Sequence, residues 1–321
     1  MAELLAGVMA EGAPAASVPV PVVPWTAEAV PSRGRLLRDA LRDHVPRLAG
    51  LPRLIVRTAR GLRASARLRH RISPAPPLPL LDVPRTSLNG ALRARRVFAL
   101  VSLPLDDVKT VKARLHVTVN DVFLALVAGS LRRYLEARGE LPERALVAEV
   151  PTSTDAAGGP RRLVGNRVSN LFTSLCTDLA DPIERLHRIH EVTCATKEIN
   201  LALGPDMYRE WTDYAPPRPL AALFRLYSRM RIADRHAPAV NVIVSCVPGP
   251  RRLLNWTGGQ LQHLFSVGPI IEGAALNVTA WSYADRLDVG VLTCPDRIAS
   301  PREIALGLGL ALEELLAASE G

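Results

Sequence analysis

The sequence predicts a mixed α/β sandwich, in which one sheet packs against helices. Stretches of alternating apolar and polar residues recur between stretches with helical spacing. Several late strands follow one another closely, which indicates antiparallel pairing. The chain has 321 residues, of which 48% are hydrophobic and 22% charged, so it has ample material for the core of a globular protein.

The amino-terminal quarter predicts little core structure. Residues 2–10 have the spacing of a short helix, and residues 13–32 are rich in proline and alanine, so we expect an extended connector there. A second proline-rich connector, residues 73–86, indicates a domain boundary.

Between these connectors lies a basic arm. Residues 33–71 hold twelve arginines and two aspartates, so this segment carries +10 and the rest of the chain −1 of the total +9. Within residues 51–71 the spacing predicts a basic amphipathic helix with Leu54, Ile55 and Leu62 on its apolar face. Its arginines suit either an ordinary water-facing surface or an anionic membrane surface. They are Arg53, Arg57, Arg60, Arg63 and Arg67. Nucleic acid is not expected as a partner, because aromatic residues are scarce.

After residue 86, strand and helix patterns alternate. The predicted strands are 95–103, 145–153, 168–175, 240–247, 260–266, 275–283 and 287–294. Five helices are predicted. They cover 104–115, the stretch that begins at 117–120 and ends near 139, 181–203, 219–233, and the residues from 301 onward. Ala284–Asp285 is the expected turn of a hairpin.

Cysteine usage and hydropathy predict an intracellular, cytoplasmic protein. The four cysteines form no CxxC pair and lie in apolar neighbourhoods, so we expect buried, reduced thiols. They are Cys176, Cys194, Cys246 and Cys294. The first twenty residues lack a basic start and carry Glu3 and Glu11, unlike a signal peptide.

Common catalytic motifs are missing. His187 and His190 resemble half of a metal site, but no third ligand has suitable spacing, so no metal is predicted. The turns at 248–250 and 268–269 are not phosphate loops, and GxSxG does not occur.

Asn120 and Asp121 stand together at the front of an apolar stretch, VTVNDVFLALVAGSLRRYL (117–135). The simplest interpretation is helix capping, with Asn120 accepting from the first turn and Asp121 at the positive end of the helix dipole. A role in a functional site is the alternative.

Five blocks in order give this pair a context. They are Leu88–Asn89–Gly90 with Arg95–Arg96, the 117–135 stretch, VGNRVSN (164–170) with DLADPIERLHRIH (178–190), NVIVSCVPGP (241–250) and residues 266–298. Together they resemble the carboxy-terminal part of the bacterial wax ester synthase/acyl-CoA:diacylglycerol acyltransferase family. The resemblance covers about residues 86–318.

The resemblance implies a chloramphenicol-acetyltransferase-like fold, of which this chain would be one domain of a face-to-face pair. It implies fatty acyl transfer from acyl-CoA to diacylglycerol or a long-chain alcohol, with no cofactor beyond the acyl-CoA substrate. The family's general base is the second histidine of HHxxxDG, carried by the amino-terminal domain.

No two of the seven histidines are adjacent, so HHxxxDG is absent from this sequence. We therefore expect residues 1–12 to be a remnant helix of the amino-terminal domain, 13–85 to be connectors with the arm, and 86–321 to be the carboxy-terminal domain. The chain would then be inactive without a separate amino-terminal half. The alternative is a non-catalytic lipid- or partner-binding module. Contact with the inner membrane or a lipid droplet is expected at most peripherally.

The resemblance also implies site residues. Asn120 and Asp121 match the family's Asn-Asp motif and are expected to support catalysis. The other matching positions are expected to shape the substrate channel through turns and buried amides. They are Asn89, Gly90, Gly165, Asn166, Pro248, Gly249 and Pro250.

Overall fold

The structure, a computed structural model, describes residues 29–153, 168–204, 207–212, 214–215, 217–256 and 259–320. Its helices are α1 (Arg33–Arg69), α2 (Leu105–Arg114), α3 (Val119–Glu136), α4 (Pro182–Leu203), α5 (Met207–Thr212), α6 (Pro217–Arg229) and α7 (Pro301–Ala318). Its strands are β1 (Val97–Pro104), β2 (Val147–Ser153), β3 (Val168–Ser174), β4 (Val242–Pro248), β5 (Asn255–Trp256), β6 (Gly259–Gln260), β7 (Leu276–Tyr283) and β8 (Arg286–Thr293). The helix predicted at 2–10 and most of the 13–32 connector lie outside the described residues.

Six strands form one mixed sheet in the order β1-β8-β7-β4-β2-β3. β4 pairs in parallel with β2 and β7, and the other neighbours pair antiparallel. Because parallel neighbours run the same way, the carboxyl ends of β2 and β4 lie at one edge of the sheet. The hairpin prediction is confirmed, since Tyr283 pairs with Arg286 across a turn in which Ala284 has a φ of 51°.

Helices α3, α4 and α7 pack on one face of this sheet and enclose the main core. α3 lies on the sheet with α4 on one side and α7 on the other, so it is buried along most of its length. At its crossing with α7, Ser130 Oγ donates to the Ile304 carbonyl at 2.7 Å, and Gly307 lies close against Ser130. The predicted α/β sandwich is thus confirmed, and all but one of the elements predicted after residue 86 occur, with ends shifted by a few residues.

One predicted strand is wrong. Of residues 260–266, only the first belongs to a strand, the two-residue β6. The rest crosses the outer face of the sheet, where the Asp288 carboxylate accepts from the Leu264 N–H at 2.7 Å. Farther along, the Asn277 side chain accepts from the Gly268 N–H at 3.2 Å. Strand side chains therefore hold this backbone in place of a ladder partner.

The basic arm is a single 37-residue helix, α1, which packs against α4. Leu54 is buried as predicted, but Ile55 and Leu62 are 50% and 54% exposed. The contacting face instead continues through Gly61 and Ser65, which lie against the last turns of α4. Small residues permit this close approach, so the face is rotated away from the larger side chains.

Among the described residues, no single helix is both long and apolar enough to cross a membrane. Helices α2 and α3 meet that length and composition test only as a pair, with a bend of 105° between them.

Candidate functional site

A capping box closes the first turn of α3. Thr118 Oγ1 accepts from the Asp121 N–H at 3.2 Å, while the Asp121 carboxylate accepts from the Thr118 N–H at 3.0 Å and its hydroxyl at 2.7 Å. The prediction that Asn120 caps this helix is therefore wrong. The chain leaves the extended conformation at Thr118, with φ −95° and ψ 160°, so Asn120 already lies inside the first turn.

Asp121 also joins α3 to α4. Its carboxylate is fully buried and accepts from Thr193 Oγ1 at 2.8 Å, and its Oδ2 lies 2.7 Å from His190 Nδ1. The same side chain thus caps the start of α3 and fixes the position of α4. Helix capping and a role at the site are therefore compatible.

Opposing effects act on the pKa of Asp121. Burial raises it, but hydrogen bonds from His190, from the side chain and backbone of Thr118, and from Thr193 together outweigh burial and hold it below 3.8. The carboxylate is therefore ionised at neutral pH and acts only as an acceptor. Because an ionised carboxylate can only accept, His190 Nδ1 donates to it, and in the neutral imidazole Nε2 is then the acceptor nitrogen.

A cavity of about 280 Å³ opens where α3 begins, at the carboxyl ends of β2 and β4. Its lining is Asn120, Leu124, Val150, Pro151, Thr152, Ser153, Leu171, Thr173, Thr193, Thr196, Lys197 and Cys246. Asn120 and Lys197 belong to this lining, and Lys197 is its one charged side chain among the described residues. The hydroxyl of Thr173 is buried there without a hydrogen-bond partner in the described part of the chain. We call this space the polar cavity.

A second cavity of about 410 Å³ adjoins it, and we call it the apolar cavity. It lies between α1, α4, edge strand β3 and the proline-rich segment that follows α1. Its lining is Leu62, Ser65, Ala66, Arg69, Pro76, Pro77, Leu78, Pro79, Asn170, Leu171, Phe172, Thr196, Ile199, Asn200 and Leu203. Leu171 and Thr196 line both cavities, so the two spaces share a wall.

Asn89 and Gly90 lie in neither lining. The buried Asn89 amide donates to the carbonyls of Val240 and Gly273 at 2.9 and 2.7 Å, and its oxygen accepts from Asn241 at 2.8 Å. Gly90 has a φ of 138°, a conformation that favours glycine. Both residues anchor the segment before β1.

The turn Pro248–Gly249–Pro250, at the end of β4, is hydrogen-bonded to the end of the neighbouring strand β7. The Gly249 N–H donates to Ser282 Oγ at 3.1 Å, and the Pro250 carbonyl accepts from the Ala284 N–H at 2.9 Å. These residues line neither cavity, and their contacts are those of a structural turn. Gly165 and Asn166 lie outside the described residues.

The arginines named on α1 are exposed to water. Arg57 forms an ion pair with Glu210 of α5. The remaining four carry no side-chain hydrogen bond or ion pair in the described contacts, which leaves their charges facing outward.

The structure also places the possible metal ligands and the cysteines. Within the described ranges, no group of three or more His, Cys, Asp or Glu side chains could hold a metal ion. Of the cysteines, Cys176 and Cys294 are buried as expected, Cys246 is partly buried, and Cys194 is exposed. The expectation for Cys194 is wrong because its position on α4 faces away from the core.

Sequence reasoning missed His190 and Thr193 as partners of Asp121. Their spacing with Lys197, at i, i+3 and i+7, indicates one face of a helix. The spacing gives no indication of which distant residue that face contacts. The contact between His190 and Asp121 joins residues 69 positions apart.

The chain is similar to known proteins of one family. The profile of the wax ester synthase/diacylglycerol acyltransferase catalytic domain matches residues 2–123, and that of the WS/DGAT C-terminal domain matches residues 164–316. A Mycobacterium tuberculosis protein provisionally named a diacylglycerol O-acyltransferase, Rv0221, is 35% identical over 284 residues, 88% of this chain and 59% of its own length. A second, Rv3087, is 35% identical over 306 residues, 94% of this chain and 63% of its own length.

A solved structure, the wax ester synthase/diacylglycerol acyltransferase from Marinobacter aquaeolei VT8, matches with a TM-score of 0.59 and 30% identity. The match covers 74% of this chain and 53% of that one. The chain spans roughly three fifths of the length of the two Mycobacterium relatives and about half of the Marinobacter protein. The two profiles, the relatives and the shared α/β fold agree: this chain belongs to the wax ester synthase/diacylglycerol acyltransferase family.

Proposed function

We propose that this chain is the acyl-binding part of an O-acyltransferase that moves a fatty acyl group from acyl-CoA to diacylglycerol or a long-chain alcohol. The observation that carries the proposal is the pair of adjoining cavities, one apolar and one lined by polar side chains at the start of α3. A fatty acyl thioester has the same division, since its chain is apolar and its carbonyl end is polar.

The chain's own residues have distinct parts in this proposal. The apolar cavity takes the acyl chain because burial removes hydrocarbon from water. The Asn120 amide then lies at the thioester end, where an N–H donor stabilises the negative charge that develops on the carbonyl oxygen. Asp121 positions Asn120 by fixing α3 against α4, and Lys197 attracts the phosphates of CoA. No metal and no cofactor other than the substrate is required.

The proton acceptor for the alcohol is a separate question. Because the sequence holds no adjacent histidines, we propose that the base comes from a segment bearing HHxxxDG. The purified 321-residue chain should then give no wax ester or triacylglycerol from palmitoyl-CoA. Addition of the amino-terminal half of the Marinobacter relative should restore turnover. Turnover by the chain alone would contradict this proposal, and binding with no restored turnover would favour the non-catalytic lipid-binding module.

The acyl site can be tested without turnover. Ala66 lines the apolar cavity from α1, whereas Ala64 lies two positions away, is exposed and lines neither cavity. Ala66→Trp should weaken palmitoyl-CoA binding by calorimetry at least about tenfold, or ~1.4 kcal/mol, and leave acetyl-CoA binding unchanged. The matched variant Ala64→Trp should bind both as the unmodified chain does. Equal binding of palmitoyl-CoA by the two variants would remove the apolar cavity from the proposal.

We also propose that α1 touches an anionic lipid surface at the inner membrane or a lipid droplet. Support comes from its outward arginines and from the exposed apolar side chains beside them, among them Ile55 and Val56. Each arginine near such a surface contributes about 1 kcal/mol. Replacing Arg53, Arg60, Arg63 and Arg67 by glutamine should abolish co-sedimentation with phosphatidylserine vesicles. Unchanged co-sedimentation would make α1 an ordinary surface helix.

A further inference from the structure

An exposed thiol lies beside the buried carboxylate–imidazole pair. Cys194 Sγ is 3.9 Å from His190 Nε2, the nitrogen that Asp121 leaves as an acceptor. His190 and Cys194 are four residues apart on α4, so they lie one above the other on the same face of the helix. Thiol, imidazole and carboxylate thus form a continuous chain of contacts, which is the arrangement that activates cysteine nucleophiles.

Cys194 lies beside the polar cavity, although neither it nor His190 belongs to the lining. Lys197, three residues beyond Cys194 on α4, lines that cavity. Thr193 also lines it and shares the Asp121 carboxylate with His190. Thr173 lines this cavity and is only 1% exposed, and its hydroxyl has no hydrogen-bond partner among the described side chains and backbone. An unpaired buried hydroxyl is unfavourable unless something polar meets it, so it indicates a ligand with a polar group in this cavity.

The other thiol near this space has a different environment. Cys246 lines the polar cavity, and burial raises its pKa to about 11. Burial likewise raises the pKa of Cys176 to about 11. Both remain protonated and weakly nucleophilic at neutral pH, whereas Cys194 is accessible and has a base within reach.

We infer that Cys194 is a nucleophile that accepts the acyl group from acyl-CoA to form an acyl-thioester on the chain. This rests on the proposed function in one respect, that acyl-CoA occupies the cavities. His190 Nε2 takes the proton from Sγ, a bond forms between Sγ and the thioester carbonyl carbon, and the bond from that carbon to the CoA sulfur breaks. The proton then passes from His190 to the departing sulfur, so free CoA leaves and neither oxidant nor reductant is consumed.

The test is intact-mass analysis of the full chain after incubation with palmitoyl-CoA in the absence of any alcohol. We expect one palmitoyl group per chain, mapped to Cys194 and removed by neutral hydroxylamine, and no adduct in Cys194→Ser. His190→Asn keeps a donor toward Asp121 but removes the Nε2 acceptor, and it should slow acylation about 100-fold. His187→Gln is the matched control: it alters an exposed histidine on the same helix and should acylate at the unmodified rate.

A parallel reaction with iodoacetamide separates this inference from the proposed function, since it needs no acyl-CoA site. Palmitoyl-CoA that binds without forming an adduct, or acylation as fast in His190→Asn as in the control, would overturn the inference and leave the proposed function intact. Failure to bind palmitoyl-CoA, with iodoacetamide labelling of Cys194 that still slows in His190→Asn, would overturn the proposed function while supporting activation of the thiol. Thermal melting of each variant confirms that it is folded.

Discussion

Replacing Asp121 by alanine removes a buried carboxylate that accepts four hydrogen bonds, two from Thr118 and one each from Thr193 and His190. Loss of the cap alone costs about 1 kcal/mol. Leaving the partners of a buried charge unsatisfied costs ~3–5 kcal/mol in total. The His190 side chain is 34% exposed, so water takes over part of its loss. We expect Asp121→Ala to lower the free energy of unfolding by about 4 kcal/mol.

Asp121→Asn should be milder because the amide has the same shape. Its oxygen can still accept from Thr118, and its N–H faces the Thr193 hydroxyl. That hydroxyl can accept, because it also has the His190 carbonyl as an acceptor at 2.9 Å. Only the charge is lost, so we expect a decrease of about 1–2 kcal/mol.

Urea denaturation at neutral pH measures both values. Asp106→Ala is the control, since this carboxylate lies in the first turn of α2 and its side chain is 82% exposed. It should change stability by less than about 0.5 kcal/mol. If alanine and asparagine at position 121 were equally mild, or both matched the control, the contacts ascribed to the carboxylate would contribute no stability and the reasoning would be refuted.

The pH dependence supplies a second check on the same residue. The pKa of Asp121 in the folded chain is below its ordinary value of 3.8, because hydrogen bonds outweigh burial. Its stabilising contribution is therefore complete above that ordinary value and is lost as pH falls through the folded value. The stability difference between the unmodified chain and Asp121→Asn should shrink below about pH 4, as the carboxylate takes up a proton.

Three further outcomes follow from close contacts. Gly307→Ala should destabilise the chain by about 1–3 kcal/mol in urea, because its new methyl group meets Ser130 of α3; Gly309→Ala, with open space at the same atom, should instead stabilise by roughly 0.5–1 kcal/mol. Asn89→Ala should cost about 2–4 kcal/mol in the same assay, since it leaves buried carbonyls without their donor. Gly61→Ala should push α1 from the last carbonyl of α4 and speed limited proteolysis of the arm, with Gly34→Ala, which has open space, as the comparison.

Local signals in the sequence predicted most of the secondary structure. Asp181 and Pro182 illustrate why: the cap and first-turn proline act within four residues, and Asp181 Oδ1 indeed accepts from the Glu184 N–H at 2.7 Å. The cap of α3 could not be assigned this way. Thr118 and Asn120 are both good caps two residues apart, and local preference does not choose between them. The buried contacts of Asp121 with α4 fit the start at Thr118.

The same limit applies to the candidate site. Asn120 and Asp121 could be singled out by resemblance, and both lie at or beside the polar cavity. His190 and Cys194 could not, because their meaning depends on a partner from another helix. On α1 the packed face is set by Gly61 and its neighbours, whose small size carries little weight in a hydrophobic pattern. Contacts between distant segments are therefore the part that pattern reading cannot supply.

The wall common to the two cavities couples their sizes. Leu171 reaches both from β3, and Thr196 reaches both from α4. A bulkier residue at either position should narrow both cavities at once, and a smaller one should thin the wall between them. Substitutions meant to change the apolar cavity alone, and so to test the proposed acyl site by hydrocarbon length, should therefore begin at positions such as Leu62 or Ile199, which line the apolar cavity but not the polar one.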